Sequence, residues 1–593
     1  MKQILRLLAL VLVPVLFLSC QTIGKTSDNV PLEDTEATKP SFTEAIIPFY
    51  VLQPQNVLDI QVFYKDDNTQ IPYLDMDCAG NLFVFLASLK GDYGINLEWN
   101  PLEENPNVVR MTKEEGLYVD FDFENDTIYF VDYDAFLASS FATSLMDVLT
   151  SPAVNQEGLP QFFLRTENSY SRYGADITFD LGNYHIDLIQ TEDGLHLIPL
   201  QTFNDIFVSA QSVNLCYNGD SVFLLLASTG LIDQDGKPVG LGELYYKEQE
   251  ERTEELTVFN YNELCFMLNH FYGLKKSHNI DDFSVMFFNS GLAYELLASD
   301  PEVVTAAIDE LVRGIFADYH SALNAPSAYA GPGDGYKGYA KRASNYNSKL
   351  TSKDRWENAR NAAFPEGCPA YLEVGDTAYI TFDSFTFSGY DYYKNPPTEE
   401  AMKSGTLDTL GLIIYAHERI MREDSPIRNV VMDLTYNGGG ASDAAVFAIA
   451  WFLGEAKINL EDTLTGALAT TTYRADVNLD REFNEMDELT GKNLYCLISD
   501  FSFSCGNLTP AAFSTSGIVT LLGQASGGGS CVVRPASTAD GTIFTFSGNN
   551  RISVVKNGAF IDADNGVSPH YFITRMENFY NREKLTEFIN NLF

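Results

Sequence analysis

The stretch VVMDLTYNGGGASDAAV, residues 430–446, decides how this chain is read. It opens as a continuous apolar run, the pattern of a strand buried on both faces of a sheet. The run stops at Gly438, Gly439 and Gly440, and the small and apolar residues that follow predict a helix over 441–453. A strand that ends in glycines and feeds a helix is the repeating unit of an α/β fold. Such a corner also leaves backbone N–H groups unobstructed, suited to an anion or a developing oxyanion. The same glycines equally serve a tight strand-to-helix turn.

The pattern repeats around this stretch. TAYITFDSF (377–385) reads as a strand, 398–422 as a helix and RNVVMDL (428–434) as a buried strand. NLYCLIS (493–499) is a further strand, followed by a helix after Ser504, the strand GIVTLLG and a closing helix at 582–592. Residues 371–593 are therefore expected to form an α/β core with a layered sheet. Within it, SDFSFSCGNLTPAAFSTSG (499–517) places Ser504 and Cys505 where a strand turns into a helix. A serine there is either an N-cap or a nucleophile whose next N–H lies at the positive helix end.

Upstream, 256–370 reads as a helical lead-in. Asp300 caps a helix with Pro301 in its first turn, and Val304, Ile308, Leu311 and Ile315 line one face. A Gly/Ser/Tyr/Lys-rich stretch, 325–355, reads as a loop. Residues 41–255 carry short alternating runs divided by Asn, Asp and Gly turns, hence a β-rich region. Within it IPYLDMDCAGNLFVFL (71–86) and LIPLQTFNDIFVSA (197–210) look alike, as two small modules would.

The first twenty residues have Lys2 and Arg6, a short apolar run broken by Pro14, and then Ser19-Cys20. They resemble a bacterial lipoprotein signal, with Cys20 the lipidated residue, or an ordinary secretory signal. Residues 21–40 would then be a polar tether, and the body an extracytoplasmic domain anchored through a lipid. The formal net charge of −43 argues against nucleic acid as a partner. The seven other cysteines are scattered without a CxxC, so no metal site is expected and no cofactor is implied.

A nucleophilic serine needs a base. His185 and His196 lie on strands, His270 and His417 in helical patterns, His278 in a loop and His570 near the end. His320 stands in FADYHSALN, past a helix end and beside Asp318 and Ser321.

Taken together, RNVVMDLTYNGGG, SFSCGNLTPAAF, LLGQASGGGS and NGVSPHY resemble, in order and spacing, the tail-specific (C-terminal processing) serine peptidase family. The resemblance covers about residues 300–575 and implies a crotonase-like catalytic core. It makes Ser504, rather than Ser502, the nucleophile. In the Ser–Lys branch a lysine follows downstream; here Gly529 occupies that position. The Ser–His branch, resembling the tricorn core protease, carries its histidine in a D-x-H-[ST] motif, which Asp318-Tyr319-His320-Ser321 matches. The resemblance thus implies His320 as base and a downstream carboxylate, with Asp562 the first choice and Asp564 the second. It implies an oxyanion hole from the N–H groups of Gly438 or Gly439 and of Cys505. Asn507 replaces the usual Glu of the nucleophile motif, and Thr435-Tyr436 the usual Arg-x pair.

Residues 321–370 are too few for the peptide-binding PDZ module of many relatives. The expected function is hydrolysis of extracytoplasmic peptides or proteins. The rival readings are a non-catalytic relative that binds a ligand or protein, and a Cys505 nucleophile.

Overall fold

The computed structural model describes residues 40–592 apart from 90–91, 139–146, 151–153, 156, 227, 234–235, 247–249 and 332–343. The leader, Cys20 and most of the tether lie outside the described residues. No described helix is long and apolar enough to cross a membrane. Phe42–Phe593 forms one compact unit.

The stretch at 430–446 lies at the centre of a six-stranded sheet. Its order is Tyr371–Val374, Thr377–Thr381, Asn429–Asp433, Asn493–Ile498, Val519–Gly523 and Tyr571–Phe572. The first pair is antiparallel and every later pair parallel. Alternate residues of its central strands face two separate cores, which is why these runs are apolar throughout. Val430, Met432, Leu494, Cys496 and Ile498 pack with the helices Thr409–Met421, Ser442–Leu453 and Cys505–Ser516. Val431, Tyr495 and Leu497 face the opposite layer with Trp356, Phe579, Tyr580 and Leu585.

The run expected as one helix over 398–422 is two, Glu399–Ser404 and Thr409–Met421. Gly405 ends the first in the left-handed conformation, and the Asp408 side chain caps the second. The stretch read as a loop over 325–355 is corrected at its end, because Ser344–Ala363 is a helix. Its sequence lacks a strong apolar stripe. It is held instead by the buried Trp356, whose Nε1 donates to Asp500 Oδ1 at 2.5 Å, and by Ser352 Oγ, which donates to Asp500 Oδ2 at 2.7 Å.

A second six-stranded sheet draws strands from all three sequence segments. Phe163–Arg172 pairs with Leu468–Ala475, and Ala322–Ala325 pairs with Ile543–Ser553. The N-terminal region adds a seven-stranded and a five-stranded sheet. The two look-alike stretches are both strand-then-helix. Their strands, Pro72–Asp75 and His196–Pro199, lie side by side and antiparallel, with Ile198 opposite Leu74.

Candidate active site

Four loops leave the carboxyl ends of the parallel strands, the edge where open α/β sheets bind ligands. They carry Asp383, the Gly438–Gly440 run, Ser504 and the Gly527–Gly529 run. Ser504 precedes the helix Cys505–Ser516 with φ 56° and ψ −121°, and its side chain makes no capping bond. A non-glycine residue in this region is strained, and such strain concentrates at functional corners. The N-cap reading is therefore removed.

The corner is locked on two sides. Ser504 N–H donates to Gly528 O at 2.9 Å, and Gly527 N–H donates to Ser502 O at 2.7 Å. On the other side Gly439, at φ +105°, lies so close that a Cβ there would meet Ser504 Cβ at 2.6 Å. The strand-to-helix glycines thus form the wall against which the serine rests.

His320 arrives from the second sheet. The helix Pro301–Asp309 runs into a π-helical turn, Glu310–Phe316, and Ala317 at φ 50° ends it. The next residue, Asp318, is partly buried and organises the bend. Its Oδ1 accepts from His320 N–H at 3.0 Å and from Ser547 Oγ at 3.1 Å, and its Oδ2 accepts from Ser321 Oγ at 2.9 Å. The His320 ring, itself buried, packs on Phe503 with centroids 4.9 Å apart, one residue before Ser504. Tyr319 meets the same Phe503 ring edge-on at 5.3 Å. A side chain at Gly529 would start 2.4 Å from Phe503, so this phenylalanine fills the start of the path a lysine there would take.

Other histidines are engaged elsewhere. His417 Nδ1 accepts from Trp451 Nε1 at 3.1 Å and its Nε2 lies 3.0 Å from Met486 O, with burial lowering its pKa to about 4. His270 Nδ1 lies 2.8 Å from Phe266 O. His570 Nδ1 accepts from Leu521 N–H at 2.9 Å.

The two candidate carboxylates separate. Asp562 is half exposed and ion-paired with Arg551, and its Oδ1 accepts the Asp564 N–H at 3.0 Å. Asp564 turns inward: its Oδ1 accepts from Ser530 N–H at 3.0 Å, and its carbonyl accepts from Gly529 N–H at 3.3 Å. It is also close enough to Asp318 to add to the upward push that burial gives the Asp318 carboxyl. Asn507 braces this loop, donating to Ala563 O at 2.8 Å while its Oδ1 accepts from Ser526 Oγ at 2.6 Å.

Of the expected oxyanion donors, Cys505 lies in the first helical turn, where an N–H has no intrahelical acceptor. The Gly438 N–H donates to Asp383 O at 3.2 Å and the Gly439 N–H to Asn437 Oδ1 at 2.9 Å. Those two amides reach an oxyanion only if these acceptors let go. The Cys505 thiol donates to Gly440 O at 3.1 Å, and burial pushes its pKa up to about 12. That speaks against a thiolate nucleophile.

The substituted Thr435 also has a structural partner. Its Oγ1 donates to Asp433 Oδ1 at 2.6 Å, and a buried guanidinium reaches the same carboxylate from Arg582 in the C-terminal helix. Asp433 is thus held by both the Thr435 hydroxyl and the Arg582 guanidinium. Sequence reading also missed a stack beside Gly438, formed by Arg360, Tyr436 and Phe501. No sequence motif marks it, because its members come from three separate segments.

Residues 376–573 match the family model described as Peptidase family S41. Among solved structures, the photosystem II D1 C-terminal processing protease is 17% identical, with 35% of this chain and 45% of that one covered and a TM-score of 0.24. This chain therefore spans under half the length of that relative. A putative peptidase from Parabacteroides merdae is 13% identical over 57% of this chain and 96% of that one, at a TM-score of 0.39. The tricorn protease is 12% identical over 84% of this chain and 47% of that one, at a TM-score of 0.32. No curated protein matches the chain in sequence.

Proposed function

We propose that this chain, whose residues 376–573 match the model of peptidase family S41, is a serine endopeptidase that cleaves peptides or proteins outside the cytoplasm. The observation that carries the reading is the meeting at Phe503. The ring of His320 packs there, directly before a Ser504 held in a strained, uncapped corner at a helix N-terminus. In this mechanism neutral His320 takes the proton of Ser504 Oγ as it attacks the substrate carbonyl. The imidazolium then donates a proton to the leaving amine. The Cys505 N–H, at the positive helix end, stabilises the oxyanion.

Asp564 is the carboxylate that supports the base. Asp562 instead positions Asp564, through its backbone N–H and the Arg551 pair. The two roles give unequal losses. Asp564→Asn is expected to lower kcat by about 10²–10⁴-fold, and Asp562→Asn by about tenfold at most. Steady-state kinetics on a fluorogenic peptide compare them, and equal losses would remove the distinction.

The mostly parallel sheet with helices in layers on both faces fits a crotonase-like core over 371–593. The lipoprotein-like sequence of residues 1–20 supports the reading that the enzyme sits on the extracytoplasmic side of a bacterial membrane, held through Cys20. A fluorophosphonate probe tests the catalytic reading. The protein is expected to become labelled, with the adduct mapped to Ser504 by mass spectrometry. Absence of labelling across neutral and mildly alkaline pH would leave a non-catalytic binding protein.

A further inference from the structure

We infer that the stack of Arg360, Tyr436 and Phe501 is the subsite for the substrate residue whose carbonyl is attacked, and that it takes an aromatic or large aliphatic side chain. The inference rests on the peptidase reading above. The Arg360 guanidinium carbon lies 4.3 Å from the Tyr436 ring centroid. The Tyr436 and Phe501 rings stack at 5.1 Å with an interplanar angle of 29°. Phe501 stands three residues before Ser504, and Tyr436 two before Gly438. The shelf is therefore built by the same two loops that carry the nucleophile and the glycine wall.

Its position beside the chemistry is set by Gly438. A Cβ there would lie 3.7 Å from the Phe501 ring, in ordinary contact. Gly438 is exposed and both rings are partly exposed, so the aromatic surface is open to solvent next to the glycine run. The base, by contrast, packs with Tyr319 and Phe503. A general base that becomes the acid must face the leaving amine, which assigns the histidine side to the leaving half of the substrate. The glycine side then belongs to the acyl half.

The shelf has a rigid backing. The helix Ser344–Ala363 holds Asp500, adjacent to Phe501, through Ser352 and Trp356. It also accepts from the Tyr436 hydroxyl through Glu357 Oε2 at 3.1 Å. Arg360 in turn pairs with Asp383, the residue whose carbonyl receives the Gly438 N–H. That pairing meets the guanidinium charge, so what remains to offer a substrate is ring surface. A shelf fixed in advance loses little side-chain entropy on binding.

The test separates recognition from catalysis by using the Ser504→Ala protein. Fluorescein-tagged heptapeptides differing only in a central Phe, Leu, Ala or Asp are titrated by fluorescence anisotropy. Phe and Leu are expected to bind about tenfold or more tightly than Ala, and Phe501→Ala or Tyr436→Leu added to Ser504→Ala to bring the ratio within about threefold. Circular dichroism and Tm confirm that each variant is folded, and the two variants together guard against one collapsing. A ratio that survives both substitutions, or that is absent in the parent, overturns the shelf. Cleavage of the peptides by the unmodified protein without such a ratio would overturn the shelf and leave the peptidase. A ratio in a protein whose Ser504 never reacts with fluorophosphonate would overturn the peptidase and leave the shelf as a peptide-binding surface.

Discussion

Ser504→Ala is expected to lower kcat/KM on a peptide substrate by about 10³–10⁶-fold, the range seen when an acyl-transfer nucleophile is removed. The argument begins with backbone geometry. A serine whose φ is 56° and ψ −121° has left the region where N-caps normally lie, and its hydroxyl makes no capping bond. Its corner is fixed by Gly528 O on one side and by the close approach of Gly439 on the other. Packing has thus over-determined a strained conformation, as expected where strain serves function. The neighbouring thiol supplies the control. Cys505 contributes its backbone N–H, which alanine retains, so Cys505→Ala is expected to lose about tenfold at most and to keep the fluorophosphonate adduct on Ser504. If Ser504→Ala retained activity and Cys505→Ala lost it, the nucleophile would be the thiol despite its raised pKa.

The central strand, the glycine run and the strand-to-helix corner at Ser504 were legible because each is local. A run such as 430–434, largely apolar between the polar turn at 422–426 and the glycine run at 438–440, has few alternatives to a buried parallel strand. The D-x-H-S stretch was legible for the same reason: Asp318 binds the backbone of the residue two positions on. The partners of the second sheet were not. Phe163–Arg172 joins Leu468–Ala475 across nearly three hundred positions, and nothing in either strand encodes the other. Asp562 and Asp564 are set apart by Arg551, which lies on the distant strand Ile543–Ser553 and pairs with Asp562 at the surface. The helix Ser344–Ala363 was hidden because its anchor, Asp500, lies in the loop before Ser504 rather than in its own periodicity. The contacts of that helix to Asp500 also back the proposed substrate shelf.

His320→Ala is expected to lower kcat by about 10²–10⁴-fold, as for loss of a positioned general base. The sign of the pH effect follows from its role. The base works as neutral imidazole, so activity requires the unprotonated ring and is lost on acidification. His320→Gln keeps a polar side chain of similar reach but cannot titrate, and its residual activity should lose that acid limb. Another titratable group stands close by. Burial raises the pKa of Asp318, whose carboxylate accepts the His320 N–H, and its protonation on acidification would loosen the bend that carries the ring. The two are separated by measuring the pH–rate profile of Asp318→Asn. An acid limb that survives in Asp318→Asn and vanishes in His320→Gln belongs to the histidine. The opposite pattern would make the limb a property of Asp318. The packing of His320 on Phe503 would then be structural, and Ser504 would need another base.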